Sequence, residues 1–188
     1  MIRSTAIANL GRYTQRVRSL GRWLTWSLAI WLVLAGIAGA QSFRLLEATV
    51  DDVQAALATG QITCRELVQQ YLDRIEAYDQ TGPALNAVQY VNPRALQRAE
   101  SLDTAFAASG PTGPLHCIPV LLKDQVETRI MPTTYGSALF EGFVSGRDAT
   151  IVVRMRDAGA IVLAKTNMGE FASRYVGSAF GIIRNAYD

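Results

Sequence analysis

Pro114-Leu115-His116-Cys117-Ile118-Pro119-Val120-Leu121-Leu122-Lys123-Asp124 holds a short apolar run, Ile118 to Leu122, between turn-forming residues and a charge. A run of that length suits a buried β-strand. It delivers Lys123 to the strand's C-terminal end, where open α/β sheets place their sites. An amine stripped of water by burial has a depressed pKa, and a neutral amine can act as a general base. On these residues alone two readings stand: Lys123 is a catalytic base, or it is a strand-end lysine paired with Asp124 or Glu127 or pointing to solvent.

The flanking sequence supplies the rest of the fold. Downstream, residues 148–158 have a helical pattern, with Asp148 as cap and Ile151, Val152 and Met155 facing inward. Ala160 to Ala164 is a second buried strand, and Gly177 to Asp188 is irregular. Upstream, Ser109-Gly110-Pro111-Thr112-Gly113-Pro114 is a turn-rich break. Before it, Asn92-Pro93 starts a helix with proline at its first position, running through Leu96, Ala99 and Leu102 to about Ala108. Asn86 to Val91 reads as a short strand. Thr49 caps an earlier helix with Asp51 and Asp52 in its first turn, where the dipole favours them. Val50, Val53, Ala56 and Leu57 form its apolar face, and Gly60 closes it. Thr63-Cys64-Arg65-Glu66 is a capping box for the next helix, which runs to about Tyr78 with Leu67, Val68, Tyr71, Leu72 and Ile75 as its stripe. This helical hairpin reads as scaffold. Strands alternating with helices predict an α/β fold with a largely parallel sheet.

Composition narrows the class. The 188 residues are 49% hydrophobic and 18% charged, values of a globular chain rather than a disordered or collagen-like one. The net charge of +2 conceals an uneven distribution. Residues 1–40 hold five arginines and no acid, which leaves thirteen basic against sixteen acidic residues beyond them. A weakly acidic body gives no reason to expect nucleic-acid binding. The arginine-rich start, the apolar run Trp23 to Ala40 and the small residues Ala38-Gly39-Ala40 have the layout of an export signal cleaved after Ala40. The leader is long, so an uncleaved membrane anchor at 23–40 is the alternative. Residues 1–40 are thus a signal peptide or membrane anchor, and 41–188 the folded part. Trp23, Trp26 and Trp31 go with the leader and are no cofactor or nucleic-acid platform. Cys64 and Cys117 are too few for a disulfide framework and read as two separate small apolar residues, although an oxidising compartment would let them pair. With one histidine, His116, a Ser-His-Asp arrangement is not expected, and there is no zinc spacing.

Six motifs follow one another in order. They are Pro114–Asp124; Met131-Pro132-Thr133-Thr134-Tyr135-Gly136-Ser137; Asp148-Ala149 before a helix; Ala158-Gly159-Ala160-Ile161; Lys165-Thr166-Asn167-Met168-Gly169-Glu170-Phe171; and Arg184-Asn185-Ala186-Tyr187-Asp188. Together they resemble the amidase-signature family, and the hairpin at 49–78 with Leu85-Asn86-Ala87-Val88 fits that family's N-terminal region. The resemblance implies the N-terminal portion of an amidase domain over 41–188: a helical hairpin, then a mixed, largely parallel sheet flanked by helices. It implies hydrolysis of carboxylic amide C–N bonds by a serine–cis-serine–lysine triad, with Lys123 as the triad lysine and no metal or organic cofactor. The partner it implies is a small-molecule amide substrate, with a membrane only if the leader is retained.

Departures from the family pattern carry their own expectations. The family's Gly/Ser-rich loop with the bridging serine, and the nucleophilic serine beyond it, do not occur within 1–188, and Ser137, Ser145, Ser173 and Ser178 do not replace them. This stretch alone is therefore expected to be inactive, as an incomplete sequence. The alternative is a non-catalytic remnant or split-protein half that binds a complementary C-terminal half. Cys117 stands where the family usually has glycine, and Gln125 where it has asparagine. Thr133, Thr134 and Ser137 either line the substrate site or bond the turn they occupy. Asn167 and Met168 follow a strand and border the substrate cavity, unless Asn167 caps the next short helix. Lys165 reads as a structural ion pair rather than a catalytic group.

Overall fold

A computed structural model describes residues 43–173 and 177–187. The export leader at 1–40, its cleavage site and the alternative anchor at 23–40 lie outside the described residues. Among the described residues no helix is long and apolar enough to cross a membrane.

Two capped helices begin the fold. In α1 (Val50–Ala58) the Thr49 hydroxyl accepts from the Asp52 N–H while the Asp52 carboxylate accepts from the Thr49 N–H. In α2 (Cys64–Ile75) Thr63 and Glu66 form the same reciprocal pair. Each box satisfies two donors that the first turn would otherwise leave orphaned. Val53, Ala56 and Leu57 of α1 and Leu67 and Val68 of α2 are buried, whereas Val50 is exposed. Helix α2 stops earlier than its pattern suggests and loosens into a π turn, Glu76–Gln80. That turn buries Asp79, whose carboxylate accepts from the Ala87 and Val88 N–H groups at 2.7 and 3.0 Å. The wider turn thereby positions the start of strand β1 (Val88–Val91).

Helix α3 (Ala95–Ser109) starts two residues after Pro93. Asn92 decides this: it accepts from the Arg94 N–H at 2.8 Å and donates to the Val162 carbonyl at 2.6 Å, tying the turn to the sheet. Strands β2 (Pro119–Lys123) and β3 (Ile161–Thr166) flank helix α4 (Thr150–Asp157) in sequence. In α4, Val152 is buried and Met155 partly so, but Ile151 is half exposed, contrary to expectation. A two-turn helix offers the sheet one stripe, and position 151 lies about 100° off it. Asp148 does not cap α4. Its carboxylate accepts from the Arg129 N–H at 2.9 Å and pairs with the Arg129 and Arg156 guanidinia at 3.2 and 2.7 Å.

The strands order β1-β3-β2 in a mixed sheet: β2 runs parallel to β3 and β1 antiparallel to it. The expected mixed sheet flanked by helices is present, with its parallel share confined to one of two pairings. Alternation along β3 divides its side chains between two cores. Ile161 and Leu163 pack with the buried faces of α1, α2 and α3, while Val162 packs with Leu122, Met131 and Val152.

The cysteines correct the sequence expectation. Cys64, opening α2, and Cys117, just before β2, form a disulfide with their Cα atoms 5.3 Å apart, within the ordinary range for such a bond. Fifty-three residues apart in sequence, they are brought together by packing that spacing does not reveal. Cys117 also has φ +63°, a left-handed conformation that glycine adopts at no steric cost.

Candidate active site

The parallel register of β2 and β3 sets Lys123 opposite Thr166, so both strands end at one edge. Antiparallel β1 begins at that same edge, with Val88 opposite Thr166. Three chain segments therefore converge there: residues 86–87, 123–124 and 166–168. Two lysines reach the edge and meet opposite surroundings.

Lys165 is wholly buried. Its Nζ donates to the Pro132 carbonyl at 2.7 Å and Thr133 Oγ1 at 2.8 Å, and lies 3.6 Å from Asp124 Oδ1. Burial pulls its pKa down to about 8, against the opposing pull of the Asp124 carboxylate. The structural ion pair anticipated for Lys165 is present. Its partner is the same Asp124 that the sequence offered to Lys123.

Asp124 is also fully buried. It accepts from the Thr134 hydroxyl at 2.6 Å, the Thr134 N–H at 3.1 Å and the Gly136 N–H at 3.1 Å. The Asp124–Lys165 pair thus holds the 132–136 loop across the ends of β2 and β3. Gly136, at φ +69°, lies so close to the Met168 carbonyl that a Cβ there would collide with it. The loop is thereby pressed onto the segment following β3. A buried pair that also satisfies its surrounding donors and acceptors specifies one arrangement of that loop.

Lys123 is exposed, and its one hydrogen bond among the described residues runs from Nζ to the Asn167 carbonyl at 3.2 Å. Glu127, the other sequence candidate for its partner, pairs with Arg147 at 2.7 Å. Asn167 is itself locked. Its Nδ2 donates to the Asn86 carbonyl at 3.1 Å, and its Oδ1 accepts from the Met168 N–H at 2.8 Å and Ser178 Oγ at 2.6 Å. The carbonyl orienting Lys123 consequently sits on a fixed support rather than a free loop end. A primary amine presented at a strand end, with one backbone anchor and its other donor positions open, can exchange a proton with a neighbouring hydroxyl.

The remaining predicted residues surround this edge. Thr133, Thr134, Ser137, Asn167 and Met168 are all buried. Thr133 serves Lys165, and Thr134 serves Asp124 and receives Gln89 Nε2 at 3.0 Å. Ser137 donates to Glu170 Oε1 at 2.6 Å. The hydroxyls of Ser145, Ser173 and Ser178 donate to the Arg147 carbonyl, the Glu170 carbonyl and Asn167 Oδ1. Among the described residues none of the four serines bonds Lys123. Gln125 is exposed.

His116 sits apart from this edge, buried and stacked on Phe106 at 5.3 Å. Its Nδ1 lies 3.1 Å from Thr112 Oγ1, and burial holds its pKa down. It belongs to the packing around the disulfide. Asn86, Gln89 and Ser178 complete the edge, although none of them was a site candidate in the sequence. Of these, only the Leu85-Asn86-Ala87-Val88 motif left a trace in the sequence.

Comparison with known proteins shows the family of the chain. A family model described as Amidase matches residues 66–188. A glutamyl-tRNA(Gln) amidotransferase subunit from Acidothermus cellulolyticus is 43% identical over 147 residues, covering 77% of this chain and 28% of that protein. The native peptide amidase of Stenotrophomonas maltophilia superimposes with a TM-score of 0.67 at 45% identity, over 70% of this chain and 27% of that one. A bacterial aryl acylamidase belonging to the amidase-signature enzymes aligns with a TM-score of 0.66 at 26% identity, over 75% of this chain and 30% of that one. The chain therefore spans less than a third of the length of these relatives. With the ordered motifs, the mixed sheet and these matches in agreement, the chain belongs to the amidase-signature family.

Proposed function

We propose that residues 41–188 form the lysine-bearing part of a hydrolase of carboxylic amide C–N bonds, with Lys123 as the base of a serine–cis-serine–lysine triad. The observation that carries this is the contrast between the two lysines at one sheet edge. Lys165 has its donors engaged inside the protein, whereas Lys123 holds one backbone carbonyl and faces outward. The serines of the triad come from chain beyond residue 188. Lys123 takes a proton from the bridging serine, which takes one from the nucleophilic serine as that oxygen attacks the amide carbonyl. Backbone N–H groups of the Gly/Ser-rich loop stabilise the oxyanion; the C–N bond breaks as the proton held by Lys123 returns through the bridging serine to the departing amine, and water then releases the acid from the acyl-enzyme. Thr133, Thr134, Ser137, Asn167 and Met168 form the floor beneath the substrate, and their polar groups keep that floor rigid. No metal or organic cofactor enters the reaction.

The test is a comparison of two polypeptides: residues 41–188, and the same reading frame continued through the Gly/Ser-rich loop and second serine. The longer protein hydrolyses a simple carboxylic amide, the shorter does not, and Lys123→Ala abolishes the activity. Hydrolysis by the short polypeptide, or an active Lys123→Ala variant of the long one, sinks the assignment.

A second arrangement has the serine-bearing portion as a separate polypeptide that adds a strand at edge strand β2, where Leu121 is half exposed. Co-expression of the two parts distinguishes it, since a soluble complex with activity is required. We also propose that residues 1–40 direct export or tether the chain to a membrane. The Cys64–Cys117 disulfide supports this, because such bonds persist in oxidising compartments. An unprocessed protein in the reducing cytosol, with both thiols free, would overturn it.

A further inference from the structure

Away from Lys123, a cleft of about 280 Å³ opens between the N-terminal end of α3, the 128–131 loop and one side of α4. Arg94, Gln97, Arg98 and Ser101 line one wall. Their spacing of three and four places them on a single helix face. Arg129, Arg156 and Asp148 line the other. Four arginines thus line one cleft in a body whose residues beyond 40 are net acidic.

The local ion pairing does not neutralise them. Asp148, 4% exposed at its side chain, is shared by Arg129 and Arg156. Among the described residues, Arg94 and Arg98 have no carboxylate within ion-pair distance. The adjoining cleft shares Arg98, Arg129, Arg156 and Asp148 and adds one acid, Asp157, so the positive excess persists. Arg98 is the most constrained of the set. Its terminal nitrogen reaches the Arg156 carbonyl at a long 3.4 Å, while its Nε is buried and meets no acceptor among the described residues. A buried unmet donor on a charged group costs free energy, and like charges gathered around a concave surface focus an attractive field for anions.

We propose that this cleft binds a small molecule through a phosphate or carboxylate group, held by Arg94 and Arg98 with Arg129 and Arg156 at its rim. Guanidinium forks match both oxyanions in bidentate geometry. The volume, near the lower end of the range for ligand sites, suits a small metabolite. Lys123, Asn167 and Ser178 do not line the cleft, so the proposal stands independently of the amide chemistry.

The experiment is calorimetric titration of the full chain at low ionic strength, with inorganic phosphate and succinate as separate probes. Saturable binding of one or both is expected. Arg98→Gln weakens it roughly tenfold or more, the scale of a lost charged hydrogen bond. Arg94→Gln, an exposed position whose side chain has no ion pair to lose, does the same without a folding question. Arg65→Gln, at a surface pair outside the cleft, leaves the affinity unchanged. Tighter phosphate binding identifies a phosphorylated ligand and tighter succinate binding a carboxylate one, and either supports the site. The proposal is overturned if neither probe saturates, if both cleft variants bind like the parent, or if Arg65→Gln weakens binding equally.

Discussion

The ends of β2 and β3 lie side by side, each carrying a lysine, and the two lysines do opposite things. At the β3 end, Lys165 is sealed beneath the 132–136 loop and its amine is consumed by a carbonyl, a hydroxyl and Asp124. At the β2 end, Lys123 holds only the Asn167 carbonyl and remains open. The sealed lysine fixes the 132–136 loop, and the open one keeps donor positions free. Both lie near a strand end, so what separates them is how many of their donors the fold occupies.

The largest consequence falls on the open end. In the polypeptide continued through the serine-bearing segment, Lys123→Ala lowers kcat/KM for an amide by about 10²–10⁴-fold, the usual contribution of a positioned acid–base group. Its urea midpoint stays close to that of the parent, since an exposed substitution changes stability by roughly 0.5 kcal/mol or less. A large loss of stability would make Lys123 a structural lysine and erase the contrast.

Next in size is the clamp beside the β2 entrance. Reducing the Cys64–Cys117 bond, or replacing both residues with serine, destabilises the domain by about 4 kcal/mol on the loop-entropy estimate for a loop of this length. Urea unfolding with and without reductant reads this directly. Unchanged stability on reduction would mean that the helices hold β2 in place without the bond.

At the sealed end, Lys165→Met leaves Asp124 buried without its cation and costs about 3 kcal/mol, as breaking a buried pair does. Its pH dependence has a definite sign. Lys165 has a pKa of about 8 in the folded protein, below its usual value of 10.5. Between these limits the unfolded state therefore binds the extra proton. Stability gained through this residue rises with pH across that window and is flat below it. The stability advantage of the parent over Lys165→Met should accordingly widen as pH climbs from the folded value towards the unfolded one. A difference that stays flat or narrows over that range would contradict the depressed value. The smallest effect belongs to the scaffold: Thr63→Ala removes half a capping box and costs about 1 kcal/mol, measurable as a lower melting temperature.

Much of the scaffold was legible because it depends on near neighbours. The Thr63–Glu66 capping box and the Thr49 cap each involve residues within four positions and appear where expected, and the structure adds a reciprocal bond from Asp52 that makes the Thr49 cap a box as well. The apolar run closed by Lys123 forms a strand within one residue of its expected limits. Errors arose where a distant partner intervened. Asp148 looked like a helix cap until Arg129 and Arg156 claimed its carboxylate. Asp124 looked like a partner for its neighbour Lys123, yet it begins the turn after β2 and its carboxylate points inward to Lys165.

The helices, the apolar strands, the ordered family motifs and the lysine at a strand end can all be read from the chain's own order of residues. They follow from local hydrogen bonding and side-chain periodicity, which need only the few residues around each position. Four further features come from packing: β1 runs antiparallel, Cys64 meets Cys117, Lys165 is sealed while Lys123 is not, and four arginines share one cleft. Those outcomes depend on which segments the core brings together, and sequence separation carries no record of that.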